Sequence, residues 1–360
     1  MKVLHVETGK HLYGGARQVL YLLEGLKTQG VECELVACSD AAIAQAARAQ
    51  GFQVHEVPMA GDLDIRFPWQ LRRIVRSSGA DLVHLHSRRG ADLWGGIGGR
   101  FARVPVVLSR RVDNPEPRWW VALKYRLYDR VVTISQGIAD VLLAEGLAPE
   151  RLAVVPSAVD LGRFSCDRGR LPQDLPVQVE DGVVVAMVAQ FISRKGHDVA
   201  LQAMRQLPPS CGHVRLLLFG QGPLRASIEA EIESLGLAGQ VHCVGFYPQI
   251  EQVLPAVDFL VHPAEMEGLG VALLEAAASC VPAVATGVGG IPEVVVDGVT
   301  GLLIPPGDPP ALAAAMDRLV HDTELRRRLG VQAREWVEAR FSIPAMVAGN
   351  LEVYRALLNR

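Results

Sequence analysis

The feature that most constrains the fold is a regular alternation of short apolar segments with longer segments of helical period. The first apolar segment, Val3–Thr8, is followed by a loop that ends in Gly14-Gly15 and then by a helical pattern over Ala16–Gln29. The pattern repeats as far as Leu152–Val155, giving about seven strand–helix units joined by short loops. Such alternation predicts a parallel sheet covered by helices on both faces, because parallel strands need a crossover connection.

A second series of the same kind begins at Val183 and runs to a last helix over Pro344–Leu358. Between the two series, residues 161–181 have no clear period and are rich in Gly and Pro, which is typical of a linker. We therefore predict an N-terminal domain over residues 1–165, a linker over 166–182 and a C-terminal domain over 183–341, with a helix over 342–360 packing back on the first domain. The expected fold is α/β, with two doubly wound, Rossmann-like domains facing a deep cleft.

The composition excludes several classes of protein. With 360 residues, 49% hydrophobic and 21% charged, the chain is globular and too long for a single core. A net charge of −3 gives no indication of nucleic-acid binding. No targeting signal and no apolar run of about 18 residues is present, which favours a cytoplasmic protein. The 6 cysteines lack C-x-x-C spacing and are expected to be reduced thiols in the core, and no residues group as metal ligands.

Two glutamates mark a candidate ligand site in the second series. Glu267 lies on a loop flanked by glycine, and Glu275 lies within the apolar helical segment Val271–Ala278. A carboxylate among small apolar residues is costly to bury without a partner, so it is expected to face a cleft and accept hydrogen bonds. Hydroxyl groups of a sugar or a ribose are suitable donors. The stretch therefore predicts a site for a nucleotide-sugar.

Two further motifs are suited to an anionic ligand. Arg194 and Lys195 follow the strand Val183–Val188 and precede a helix, a position that suits a pyrophosphate, although a solvated loop is the alternative. The pair Gly14-Gly15 precedes the first helix, whose free N–H groups could bind anionic oxygen, although a plain tight turn would look the same. The stretch Phe219–Pro223 is not a full dinucleotide fingerprint and is interpreted as a tight turn.

Taken together, these residues resemble the glycosyltransferases of family 4, which are retaining, nucleotide-sugar-dependent enzymes with the GT-B fold. The resemblance covers nearly the whole chain. The motifs that carry it are Glu267 and Glu275 in an E-x7-E arrangement, Arg194-Lys195-Gly196, Phe219-Gly220-Gln221-Gly222-Pro223, Gly289-Gly290 with Glu293, Gly14-Gly15, residues 81–86 and Thr133-Ile134-Ser135.

The resemblance implies a role for each group of residues. The catalytic residues would be Arg194 and Lys195, which stabilise the leaving diphosphate, and Glu267, which holds hydroxyls of the donor sugar. The donor-binding residues would be Gly14, Gly15, Gly220, Leu269, Gly270 and Glu275, the last on the ribose. Candidates on the acceptor side are His86, Arg110, Arg111 and Ser135. No metal and no other cofactor is expected, because protein cations take the place of a metal.

The implied reaction moves a sugar from a nucleotide-sugar donor to a saccharide or lipid-linked acceptor in the synthesis of cell-envelope polysaccharide or lipopolysaccharide. Three residues depart from the family pattern: Gln190 where an arginine is common, Arg111 where a histidine is common and Ser157 where an asparagine is common. Gln190 and Arg111 leave open a non-catalytic nucleotide-sugar-binding subunit, and another GT-B enzyme, such as a sugar epimerase or a phosphorylase, is a further alternative. A dinucleotide oxidoreductase would need a glycine fingerprint that the chain lacks. The base, the sugar, the acceptor and the oligomeric state stay open.

Two segments combine aromatic and basic residues, Arg66–Arg73 and Arg118–Arg130. Both could lie on an anionic membrane surface and present a lipid-linked acceptor, which would make the protein peripheral on the inner membrane face. The alternative is that each is an amphipathic helix packed on its own sheet, with its charges in solvent.

Overall fold

The chain divides into two units. The computed structural model describes residues 1–10, 12, 14–58, 64–86, 90–177, 179 and 182–359. The first unit contains Met1–Ala158 and the stretch that begins at Ile343, and the second contains Val159–Ser342. The boundary therefore lies earlier than the predicted end of the first domain at residue 165. Residue 360 of the predicted last helix, and residues 178, 180 and 181 of the predicted linker, lie outside the described part.

The first unit is built on a 7-stranded parallel sheet of order β3-β2-β1-β4-β5-β6-β7. Strands β1 and β4 are neighbours although two strands separate them in the sequence, and they pair with Val6 opposite Leu85. The strands are β1 (Lys2–Glu7), β2 (Glu32–Cys38), β3 (Gln53–Val57), β4 (Leu82–Leu85), β5 (Val106–Arg110), β6 (Arg130–Thr133) and β7 (Leu152–Val154).

Helices cover both faces of this sheet. Helices α1, α2 and α14 contribute to one apolar core with residues such as Leu23, Ile43 and Leu351, and α3, α5 and α6 contribute to another with Leu71 and Val121. The bounds are α1 (Gly14–Thr28), α2 (Ala42–Ala49), α3 (Phe67–Ser78), α4 (Ala91–Ala102), α5 (Arg118–Lys124), α6 (Gln136–Ala144) and, from the end of the chain, α14 (Ile343–Leu358). The short helix α5 lies within the aromatic and basic segment Arg118–Arg130, for which an amphipathic helix was one of the two expectations.

The second unit is built on a 6-stranded parallel sheet of order β10-β9-β8-β11-β12-β13. Its strands are β8 (Val183–Val188), β9 (Val214–Phe219), β10 (Val241–Gly245), β11 (Phe259–His262), β12 (Ala283–Thr286) and β13 (Gly301–Ile304). Its helices are α7 (His197–Gln206), α8 (Arg225–Ser234), α9 (Ile250–Val253), α10 (Val271–Ala278), α11 (Ile291–Val294), α12 (Pro309–His321) and α13 (Thr323–Arg340). Both units thus have the predicted doubly wound α/β architecture.

The segment predicted as a linker belongs to the second unit. Val159 donates its N–H to the carbonyl of Phe341 at 2.8 Å, and Arg163 forms an ion pair with Glu251 at 2.9 Å. Phe164 is buried, and the segment ends on β8. These contacts anchor the described part of residues 159–182 along the second unit, whereas a free linker would have few of them.

One prediction about the cysteines is wrong. Cys166, in the same segment, forms a disulfide with Cys280 just after α10, with Cα atoms 5.0 Å apart. The two residues are separated by 114 positions, so no local spacing of cysteines could have predicted the pair. The other cysteines, Cys33, Cys38, Cys211 and Cys243, are free thiols.

One local difference between expectation and structure bears on the site. Gly14 and Gly15 are the first two residues of α1, whereas the pattern placed them in the preceding loop. They add about half a turn to the helix, whose first N–H groups need no partner within the helix. Within the described ranges, none of the helices has both the length and the apolar character that crossing a bilayer requires.

Candidate functional site

The strand orders create one switch point in each sheet, where the chain order reverses on the two sides of a pair of neighbouring strands. In the second unit this pair is β8 and β11, and in the first unit it is β1 and β4. Loops that leave the carboxyl ends of such a pair diverge to opposite faces of the sheet, and ligands of doubly wound sheets bind in the resulting crevice. The predicted catalytic residues follow β8 and β11.

In the second unit, Lys195 and Glu267 form an ion pair at this switch point. Lys195 Nζ lies 2.5 Å from Glu267 Oε2, with side-chain exposures of 12% and 16%. The same carboxylate oxygen lies 2.8 Å from Nε2 of His262, the buried last residue of β11. The structure therefore brings together two of the three predicted catalytic residues and adds a histidine that the sequence had not indicated.

The environment keeps Glu267 ionised. Burial by itself would raise the pKa of this carboxyl, but hydrogen bonds and charge from His262 and Lys195 outweigh it and hold the pKa well below its usual range. The group is therefore a carboxylate at neutral pH and can only accept hydrogen bonds. A hydroxyl group is the natural partner for its second oxygen.

Close backbone packing places these side chains. Gly196, with φ +71°, follows Lys195, and a Cβ there would clash with the carbonyl oxygen of Pro263. Glu265 donates its N–H to the carbonyl of Arg194 at 3.0 Å. On the other side, Gly290 donates its N–H to the carbonyl of Glu267 at 3.1 Å. The loops after β8, β11 and β12 thus hold one another in position at the edge of the sheet.

The remaining predicted residues of the second unit lie around this pair. The guanidinium of Arg194 is partly exposed and has no hydrogen bond or ion pair to the residues that the structure describes. Leu269 is buried, and Gly270 precedes α10 with φ +90°. Glu275 is partly buried in α10. Gly220, with φ +151°, lies against the carbonyl of Ala189, so the turn after β9 packs on the loop after β8.

The switch point of the first unit collects a second polar group. A Cβ on Gly15, at the start of α1, would lie 3.8 Å from Cδ of Arg111. Arg111 is partly buried, contacts Ser157 Oγ at 3.4 Å and acts electrostatically on Glu7, the last residue of β1. Burial lowers the pKa of Arg111 to about 10, and the Glu7 charge opposes this shift. A glycine from the donor prediction and an arginine from the acceptor prediction therefore lie side by side.

Three buried histidines form a cluster near Arg111, whose charge acts on two of them. His5 Nδ1 and His86 Nε2 are 3.0 Å apart, while His84 contacts Ser109 Oγ at 2.8 Å and the hydroxyl of Tyr354 at 2.5 Å. Burial lowers the pKa of His5 to about 3 and takes those of His84 and His86 well below their usual range, with a smaller contribution from Arg111 to the latter two. The three rings are therefore neutral, and each carries a hydrogen on only one of its two nitrogens.

Two of the predicted acceptor residues have structural partners. Arg110 is buried, with Nη1 3.4 Å from Glu116 Oε2 and Nη2 bonded to the carbonyl of Asn114 at 2.5 Å. Ser135 is fully buried and caps α6, accepting the N–H of Ile138 at 3.2 Å. Both side chains are thus already used to hold the loops after β5 and β6. Contact of either with an acceptor stays a prediction, as it does for the buried His86, and the geometry favours the partly exposed Arg111 over all three.

Two groups of described residues bring metal-type ligands together: His5, His84 and His86, and Cys211, Asp317 and His321. In the first group, both nitrogens of His84 and one nitrogen each of His5 and His86 have hydrogen-bond partners, and the nearby Arg111 disfavours a cation. In the second, Asp317 already contacts Cys211 Sγ at 3.3 Å and His321 Nδ1 at 3.2 Å, and Cys211 precedes the amino end of β9, away from the switch point.

The residues that the sequence did not reveal share one property, which is that they end strands. His262 immediately precedes Pro263 at the carboxyl end of β11, and Glu7 ends β1. A polar residue closing an otherwise apolar strand is the signal that could have identified them, because that position lies at the ligand-binding edge of a parallel sheet.

Two doubly wound sheets, each with charged groups at its switch point, define a protein of the GT-B class. Residues 13–163 match the family model described as Glycosyltransferase Family 4, and residues 174–336 match that described as Glycosyl transferases group 1. The chain belongs to the glycosyltransferases of family 4.

Similar proteins are consistent with this assignment. The lipopolysaccharide core biosynthesis glycosyltransferase LpsE of Rhizobium meliloti is 28% identical over 98% of each chain. The 2-deoxystreptamine glucosyltransferase of Streptomyces kanamyceticus is 30% identical over 78% of this chain and 79% of its own. Among solved structures, Anabaena HepE in complex with UDP and glucose superposes with a TM-score of 0.86 at 20% identity, covering 99% of this chain and 100% of HepE.

Proposed function

We propose that this glycosyltransferase moves a sugar from a nucleotide-sugar to a saccharide or lipid-linked acceptor, with retention of anomeric configuration and without a metal ion. The observation that carries the proposal is the Lys195–Glu267 pair at the switch point of the second unit, 2.5 Å apart and largely buried. A cation and a carboxylate at one point can serve the two parts of such a donor, the diphosphate and the sugar hydroxyls.

The charges suit a departing diphosphate. Arg194 has no ion pair among the described residues, and Lys195 is held only by a carboxylate that a ligand could share. Positive charge that is already in position stabilises the negative charge that develops on a leaving group, and removal of one such contact typically costs about a hundredfold or more in rate. Two protein cations can therefore supply what a metal ion supplies in other transferases.

The carboxylate suits a binding role better than a nucleophilic one. Glu267 accepts from Lys195 and His262 on the same oxygen, and these partners hold its pKa well below the usual range. Such a stabilised carboxylate is a weak nucleophile. This favours retention by a front-face route, in which an oxygen of the leaving diphosphate takes the proton of the acceptor, over a covalent glycosyl-enzyme intermediate.

The relatives suggest where the reaction belongs. LpsE acts in lipopolysaccharide core biosynthesis, and WcaL of Salmonella typhimurium, 33% identical over 55% of this chain and 50% of its own, is described as a putative colanic acid biosynthesis glycosyltransferase. HepE was crystallised with UDP and glucose. We therefore place this enzyme in the synthesis of cell-envelope polysaccharide or lipopolysaccharide, with UDP-glucose as the first donor to test.

The test begins with binding and continues to turnover. Thermal shifts are measured with UDP, GDP and ADP and with their sugar forms, because a ligand that binds the folded state raises its stability. The donor that binds is then assayed for sugar release and transfer with EDTA present, and the anomeric configuration of the product is read by NMR. Stabilisation with turnover in EDTA and retention is expected. Binding without turnover in wild type would indicate a non-catalytic subunit, and no binding would refute the proposal.

We further propose that the first unit contacts an anionic membrane surface through α3, α4 and α5. Trp69 on α3 is 59% exposed and Trp119 on α5 is 70% exposed, although both helices bury other residues in the core. The ring of Trp69 lies 5.2 Å from that of Phe101 on α4, which is also exposed. Packing on the sheet therefore does not account for these aromatic residues.

Basic residues lie beside these aromatic rings on α3. Arg73 and Arg76 are exposed on α3 beside Trp69, and Arg72 lies 5.8 Å from the ring of Trp69. Exposed aromatic rings beside basic residues bind the interface of anionic bilayers. Flotation with vesicles of phosphatidylglycerol is expected for wild type and reduced in Arg73→Gln/Arg76→Gln.

The matched control for flotation is Arg327→Gln/Arg328→Gln, which removes the same charge from an exposed helix of the second unit. The control should float like wild type. Equal flotation of both double variants, or no flotation of wild type, would refute the membrane surface.

A further inference from the structure

We propose that His262 is a positioning residue that fixes the carboxylate of Glu267 for the sugar of the donor, an inference that depends on the proposed function. His262 is the last residue of β11 and is 2% exposed, so the strand and the core around it hold its ring. Its Nε2 lies 2.8 Å from Glu267 Oε2. Because an ionised carboxylate only accepts, this nitrogen carries the hydrogen of the bond.

The two oxygens of Glu267 differ in their surroundings. Oε2 accepts from both Lys195 and His262, whereas Oε1 has no hydrogen bond to any residue of the described ranges. The side chain keeps 16% of its surface exposed, and Oε1 is not among the buried polar atoms that lack a partner. Oε1 is therefore the atom available to a ligand, and its direction is set by what holds Oε2.

Lys195 is unsuited to hold that direction during the reaction. Its side chain is long and flexible, and its charge is attracted to the diphosphate as soon as a donor binds. If Lys195 turned toward the diphosphate, Glu267 would lose one of its two side-chain partners. The ring of His262 is short, buried and anchored at a strand end, so it cannot turn toward the diphosphate as the long side chain of Lys195 can. We infer that its bond persists and keeps Oε1 aimed at a sugar hydroxyl.

This role predicts an effect on the sugar but not on the nucleotide. Loss of the His262 bond should weaken the contribution of the sugar to binding, while a nucleoside diphosphate without a sugar should bind as before. A merely structural role would instead affect both ligands equally through stability. The comparison of the two affinities therefore separates positioning from folding.

The experiment measures dissociation constants by calorimetry for three ligand pairs: UDP with UDP-glucose, GDP with GDP-mannose, and ADP with ADP-glucose. For the pair that wild type binds, His262→Leu should raise the Kd of the sugar nucleotide about tenfold relative to that of the diphosphate, as expected for loss of a charge-assisted hydrogen bond. Turnover should fall by a similar factor. His262→Gln, whose amide nitrogen can replace Nε2, should stay close to wild type, as should the control His213→Gln at an exposed position.

Other variants keep the inference testable. If His262→Leu does not fold, the shorter amide of His262→Asn takes its place and should show the loss that His262→Gln avoids. Glu267→Gln should lose the sugar contribution as well, and the double variant with His262→Leu should lose no more, because both changes remove one contact.

The outcomes distinguish the two proposals. A wild type that binds none of the pairs, or a Glu267→Gln variant that behaves like wild type, overturns the proposed function and this inference with it. A Glu267→Gln variant that loses the sugar contribution while His262→Leu or His262→Asn keeps it overturns the inference on His262 alone.

Discussion

Acid should destabilise the first unit through the three histidines that the folded chain keeps neutral. His5 and His84 are fully buried and His86 is 4% exposed, and burial lowers the pKa of His5 from 6.5 to about 3. As the pH falls below 6.5, the unfolded chain binds protons that the folded chain does not. Stability from this source is therefore complete above pH 6.5 and is lost as the pH falls toward the folded pKa near 3.

The size of the effect follows from the shift. At about pH 5, a histidine with a pKa of 6.5 in the unfolded chain binds nearly one proton, so one ring that stays neutral on folding lowers the free energy of unfolding by about 2 kcal/mol. His84 and His86, whose pKa values also lie well below the usual range, bring the total to about 6 kcal/mol. That is comparable to the roughly 5–15 kcal/mol that stabilises a typical domain.

Urea unfolding at about pH 7, 6 and 5 measures the effect. All tryptophans except Trp336 lie in the first unit, so a Trp336→Phe background makes fluorescence report that unit. In this background, His5→Gln should reduce the change in unfolding free energy between pH 5 and 6 by about 1.2 kcal/mol. Ser109→Ala, which removes the hydroxyl bonded to His84 but no titrating ring, should lower stability equally at each pH. Parallel pH profiles for His5→Gln and its parent would refute the reasoning.

Three further predictions concern single side chains. Lys195→Ala should lower turnover more than a hundredfold with an unchanged circular dichroism spectrum, because it removes the positive charge proposed to stabilise the leaving diphosphate. Near-normal turnover would contradict this role for Lys195. Glu275→Ala should raise the Kd for the nucleotide in calorimetry about tenfold, as loss of a hydrogen bond to a charged group does, and unchanged binding would exclude it from the ribose site. Arg110→Met should lower the free energy of unfolding by about 3 kcal/mol in urea titrations, because it leaves Glu116 with fewer buried partners, and an exposed acceptor-binding arginine would instead cost almost nothing.

The strands and helices of this protein could be predicted from the sequence because the apolar patterns that specify them are local. The apolar run Val183–Val188 and the helical segment Val271–Ala278 have the bounds that the sequence predicts. Burial of one face imposes a period of two or of 3.6 residues within a short window, so the pattern can be read without knowing what covers it. The family and the fold follow from the same elements and from the short motifs between them.

The domain boundary depended on contacts across the chain. The composition of residues 161–181 is that of a linker, yet Arg163 and Cys166 attach this segment to Glu251 and Cys280 of the second unit. A composition rich in Gly and Pro indicates that a segment lacks regular structure. It does not indicate whether the segment packs on a domain, because that packing depends on partners far along the chain.

The partners within the site were decided by strand order alone. Arg194, Lys195, Glu267 and Glu275 can each be found in the sequence, but Lys195 and Glu267 are 72 positions apart, and only the pairing of β8 with β11 brings them into contact. The same holds for His5 and His86, separated by 81 positions and joined by the pairing of β1 with β4. The sequence determined which side chains could bind a nucleotide-sugar, since residue type sets charge and hydrogen bonding. The tertiary structure decided which of them touch, because the crossovers between parallel strands set neighbours that no local pattern encodes.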